Sequence, residues 1–142
     1  EGWNPATSAL DVINAQNHDG EHWARGEQFI QVELAGDDGT TASRRMWYQN
    51  GPIFKRADVE GLPGYVSLVR YVTDLAAKDA PRGQMKGRDA VIAAPYGEGR
   101  VVAFGPHPEL TPELNHWLIN AIKWSAESTT GPITVGSVLE GR

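Results

Sequence analysis

The sequence predicts an α/β domain with several strands and one amphipathic helix towards its end. Three observations carry that expectation. Gln28 to Leu34 alternates, which puts Ile30, Val32 and Leu34 on one face, as in a strand with one side buried. Ala90 to Ala94 and Arg100 to Phe104 are short, near-continuous apolar runs around Pro95-Tyr96-Gly97-Glu98-Gly99, the pattern of paired strands covered on both faces. From Thr111 onward, Leu114, Leu118, Ala121, Ile122 and Ser125 recur at helical spacing, with Trp117 and Trp124 widening the stripe.

The remaining elements follow in chain order. Ala6 to Ala15, after Pro5, carries Leu10, Val12 and Ile13 beside alanines and predicts a short helix. Asn17-His18-Asp19-Gly20 is a turn, because Asn, Asp and Gly tolerate positive φ. Gly36-Asp37-Asp38-Gly39 ends the first strand. Arg45 to Gln49 predicts a second, stopped by Asn50-Gly51-Pro52. Tyr65 to Val72 is rich in β-branched and aromatic residues and predicts a third. Ala76 to Gly87 is polar, contains Pro81 and Gly83, and reads as an exposed loop. Thr111-Pro112-Glu113 opens the helix: Thr suits the N-cap, Pro the first helical position, and Glu the positive end of the macrodipole. Residues 127–142, beyond the helix, read as an edge strand or a loose tail.

Composition narrows the function classes. At 142 residues the chain is one domain's worth, and 40% hydrophobic with 22% charged residues is the balance of a globular core rather than a disordered segment. A net charge of −5 with no Lys/Arg cluster in sequence argues against nucleic acid. No stretch approaches the ~20 apolar residues of a membrane-spanning helix. With no cysteine, neither a disulfide nor a thiolate zinc site can form within the chain. No cofactor is expected, and the compartment is not encoded. Residue 1 is Glu, and Gly2-Trp3-Asn4-Pro5 is unlike a translation start, so a processed or truncated product, or one chain of a nicked protein, is expected.

His107-Pro108-Glu109, at the exit of the second apolar run, is the motif with most chemical content. In a nucleophilic triad a histidine takes the nucleophile's proton, while a carboxylate on its other ring nitrogen fixes the tautomer and stabilises the imidazolium. Pro108 restricts the bend between the two side chains. The bland alternative is a surface turn before a helix, with Glu109 placed there by the macrodipole.

The run AVIAAPYGEGRVVAFGPHPELTPELNHWLINAIKW, from Ala90 to Trp124, resembles the end of class I glutamine amidotransferase-like domains. It is nearest the branch typified by the N-terminal domain of biotin–protein ligases. His22-Trp23-Ala24-Arg25-Gly26 and Trp47-Tyr48-Gln49-Asn50-Gly51-Pro52-Ile53-Phe54 are similar to segments of the same branch. The resemblance implies the C-terminal portion of a flavodoxin-like three-layer sandwich, residues 1–142 forming part of one domain. It implies His107 as general base and Glu109 as its orienting partner, and it keeps a substrate-pocket role open for Asn50 and Gly51, which read first as a turn.

The family's cysteine, on a Gly-x-Cys-x-Gly-like elbow, has no counterpart between Glu1 and Gly20. The nucleophile is therefore expected on an N-terminal segment of the same protein or on a second chain. An uncovered apolar sheet edge would then drive association with that partner or with another copy. The implied reaction is hydrolysis of a carboxamide, typically that of glutamine. The alternative is a non-catalytic amidotransferase-like module that keeps the fold for binding or assembly.

Two rival patterns carry less. His18-Asp19-Gly20-Glu21-His22 fits the H-x-x-E-H pattern of inverted zinc peptidases, but that chemistry needs one helix to align both histidines. The central glycine alone costs a helix about 1 kcal/mol, and Asn17 and Asp19 favour a turn, so no metal site is expected. Gly97-Glu98-Gly99 lacks the Lys-Ser/Thr of a phosphate loop and precedes a strand, so it reads as a hairpin connection. His116 is read as an exposed helical residue without a catalytic role.

Overall fold

Antiparallel pairing builds the sheet in the computed structural model, which describes residues 10, 12–18, 26–36, 38–127 and 130–142. Its strands are β1 (Ala15–Asn17), β2 (Glu27–Ala35), β3 (Thr41–Gln49), β4 (Phe54–Arg56), β5 (Val66–Tyr71), β6 (Asp89–Tyr96) and β7 (Gly99–Phe104). They are followed by a 3-10 turn (Pro108–Leu110), helix α1 (Asn115–Ala126) and a π-helical turn (Gly136–Glu140). The strand order is β1-β4-β6-β5-β2-β3, with β7 also paired to β6.

The chain is thus a mixed α/β protein with a seven-stranded sheet among the described residues. A flavodoxin-like sandwich rests on parallel strands, and every strand pair found here is antiparallel. For two of these pairs the reason lies in the connections. Gly97-Glu98 joins β6 directly to β7, and residues 36–40 join β2 to β3, which leaves no room for the crossover a parallel pair needs.

The sheet curls until its ends approach. Beyond β7, His107 forms an isolated antiparallel bridge with Trp47 of β3, the strand at the far end of the order. The principal core fills one face of this curl. Ile30, Val32 and Leu34 of β2, Met46 and Tyr48 of β3, Val69 and Tyr71 of β5, and Val91 and Ala93 of β6 meet Leu114, Trp117, Ala121 and Trp124 there. A smaller cluster on the opposite face joins Ile92 and Ala94 to Ile13, Ala15, Phe54 and Tyr65. β6 therefore buries both faces, which explains its unbroken apolar run.

Several expectations need correction. Residues 12–14 form a turn and Ala15 begins β1, so no helix covers them; the rest of the expected helix, apart from Leu10, lies outside the described residues. β1 and β4 were not expected, since three residues are too few to show alternation. β7 lies with both faces half-buried, unlike β6. Helix α1 begins at Asn115, after a turn over residues 112–114, and Leu114 occupies the N-cap with no side-chain cap bond. Of its expected stripe, Ile122 is 62% exposed; the buried line is Leu114, Trp117, Ala121 and Trp124. Within the tail, residues 136–140 form a π-helical turn rather than a strand, and Val135, Val138 and Leu139 are buried in and beside it, against α1.

Candidate functional site

The β6–β7 hairpin delivers residues 105–111 to the edge of β3, and backbone bonds fix them there. Gly105 N–H donates to the Ala90 carbonyl (2.8 Å) and His107 N–H donates to the Trp47 carbonyl (2.7 Å). Leu110 N–H closes the 3-10 turn on the His107 carbonyl (3.2 Å), with Pro108 leading the turn. Thr111 completes the clamp. Its hydroxyl donates to the His107 carbonyl (3.0 Å) and accepts the Trp47 N–H (3.0 Å). The sequence assigned Thr111 to helix capping. It is instead a buried polar residue whose one hydroxyl ties β3 to both sides of the 3-10 turn.

On this fixed backbone His107 Nδ1 lies 2.7 Å from Glu109 Oε1. With the carboxylate ionised, Nδ1 carries the proton and donates it, which leaves the Nε2 lone pair as the acceptor. Among the described residues Nε2 has no hydrogen-bond partner. The His107 side chain is 32% exposed and that of Glu109 46%, so the ring is partly shielded but reachable from solvent. The arrangement can accept a proton at Nε2 and stabilise the resulting imidazolium.

Asn50 and Gly51 pack behind this segment. Asn50 adopts positive φ (50°), and its side-chain oxygen accepts the Gly26 N–H (2.7 Å), so its amide is turned towards Gly26. The Gly51 carbonyl accepts the Tyr48 hydroxyl (2.7 Å), and a Cβ at Gly51 would sit on the Gly105 carbonyl oxygen. A Cβ at Gly105 would in turn strike the Tyr71 hydroxyl and the Pro52 carbonyl. The two glycines let the turn after β3 touch the chain two residues before His107. The pairing of Gly51 with Gly105 left no sequence signal, because the contact spans more than fifty positions.

The other candidates fall apart from His107 and Glu109. His18 Nε2 lies 3.0 Å from the Gln84 side-chain oxygen, while Asp19, Gly20, Glu21 and His22 of the zinc-like pattern lie outside the described residues, as do Trp23, Ala24 and Arg25. No group of three metal-ligating side chains occurs among the described residues. His116, half-exposed, stands 3.7 Å from Glu140, which also accepts the Trp117 indole N–H (3.1 Å). Comparison with family models, with curated proteins and with solved structures finds no match to this chain.

Proposed function

We propose that this chain is the His/Glu-bearing portion of a class I glutamine amidotransferase-like amide hydrolase, with the nucleophilic cysteine on another segment or chain. The observation that carries the reading is the 2.7 Å contact between His107 Nδ1 and Glu109 Oε1 on a backbone clamped at both its N–H and its carbonyl. His107 Nε2 takes the thiol proton, and the thiolate attacks the carboxamide carbon. The imidazolium, steadied by Glu109, returns the proton to the departing ammonia. Water then cleaves the thioester with His107 again as base. Asn50 offers the substrate wall its side-chain NH2, since its side-chain oxygen accepts the Gly26 N–H, and Gly51 acts through its close packing on Gly105.

In this reading the flavodoxin-like layers come from the remainder of the domain, and the antiparallel sheet described here extends them. Support for a partner comes from the outer edge of β7, whose only strand partner among the described residues is β6, and from Ile119 and Ile122 (54% and 62% exposed) on the nearby helix.

A glutamine-like electrophile applied to the chain together with its cysteine-bearing partner tests the reading by mass spectrometry. One adduct on the partner cysteine is expected, formed at least ~10²-fold more slowly with His107→Ala and more slowly with Glu109→Gln. Unlabelled cysteine in the intact assembly would instead favour a binding or assembly module.

A further inference from the structure

We infer that a basic recess at the junction of β4, β5 and β6, apart from the His107 site, binds a phosphate-type dianion. The recess measures about 300 Å³ and is lined by Lys55 and Arg56 of β4, Arg70 of β5, and Arg88 with Asp89 at the start of β6. Four of the chain's 13 cationic side chains meet there against one carboxylate, in a protein of net charge −5. Such a concentration makes a local positive potential in an otherwise negative protein, which attracts an anion to the recess.

The lone carboxylate is already satisfied. Asp89 accepts the Tyr65 hydroxyl (2.6 Å) and the Ser67 hydroxyl (2.6 Å), and Arg70 Nε lies 3.5 Å from the same carboxylate. That contact engages one edge of the Arg70 guanidinium and leaves its terminal amino groups as donors. Arg56 is pre-positioned, with its guanidinium 4.8 Å from the centre of the Tyr65 ring and one amino group 3.4 Å from the Tyr65 carbonyl. Among the described residues, Lys55, Arg56 and Arg88 form no ion pair.

Cations arriving from three strands suit a tetrahedral oxyanion with several acceptor oxygens. A planar carboxylate would be satisfied by one bidentate arginine. The recess exceeds what a bare phosphate fills, so a phosphate monoester with a small organic group fits it best.

Calorimetric titration of the full chain with inorganic phosphate and with glycerol phosphate, at low ionic strength, tests this. Saturable one-to-one binding is expected, tighter for the ester and weakened about tenfold or more in Arg56→Gln/Arg88→Gln. Arg44→Gln, an exposed cation of β3, should leave it unchanged. Both double-variant positions are exposed, and single Arg88→Gln, expected to weaken binding in the same direction, serves if the double variant fails to fold. Absence of saturable uptake of either probe by the unaltered chain, wild-type affinity in the arginine variants, or an equal loss with Arg44→Gln would each overturn the assignment.

Discussion

Single side chains hold together the parts of this molecule that have no regular structure. Asp74 is the clearest case: its carboxylate accepts the Gly83 N–H (2.6 Å) and the Met85 N–H (3.2 Å), pinning a segment the sequence marks as loop. Partial burial pushes its pKa up. The backbone N–H groups of Gly83, Met85 and Lys86 and the charge of Arg82 outweigh that and hold it below the usual 3.8. A carboxylate depressed on folding contributes stability above its unfolded pKa and loses it as pH falls through the lower folded value. Asp74→Asn should therefore lower stability near neutral pH, by no more than about 1 kcal/mol because the group is well solvated. Urea unfolding should show that difference shrinking as pH falls below ~3.8 and lost once pH lies below the lowered folded value. Met85, fully buried, shows what this anchor secures: a polar loop contributes one large apolar side chain to the core.

Among the elements, two features decide whether residues 105–111 reach β3. The first is the Gly51–Gly105 approach. Gly105→Ala would place a methyl group against the Tyr71 hydroxyl and the Pro52 carbonyl, and overpacking of this kind costs ~1–3 kcal/mol. A lower denaturant midpoint with an unchanged m-value is the expected result. The second is the buried line of α1. Trp117 is wholly buried, and Trp117→Ala should cost ~3–5 kcal/mol. Ile122→Ala, on the exposed side of the same helix, should stay within about 0.5 kcal/mol. Sequence spacing predicts both isoleucine and tryptophan as core. It gives the period of an amphipathic helix correctly, but the width of the buried stripe depends on how much sheet lies beneath it.

Across the whole molecule, the curled sheet and the position of β7 at its margin set what the chain can do alone. β7 is half-buried on both faces, and its neighbouring helix presents Ile119 and Ile122 to solvent. On the proposed reading, this margin is where the nucleophile-bearing partner or a second copy adds. Size-exclusion chromatography with light scattering should accordingly give a mass above that of one 15.5 kDa chain; a monodisperse, well-folded monomer would count against it. Much of this architecture was legible in sequence: β2, β3, β5 and the β6–β7 hairpin. β1 and β4 were not, because three-residue strands owe their form to their neighbours.

What the sequence determined by itself was local. It set which face of β2 turns inward, where the hairpin reverses, and that a histidine and a carboxylate two residues apart follow the last strand. Each depends on side-chain periodicity or on the backbone preferences of glycine and proline, which act over a few residues. Tertiary structure alone decided that the sheet is curled, and that Thr111 serves β3 rather than its helix. It also decided that Gly51 admits Gly105, and that cations from three strands share one recess. Those outcomes depend on which distant segments meet, and pairing between strands is set by the packing of the whole core rather than by any one segment.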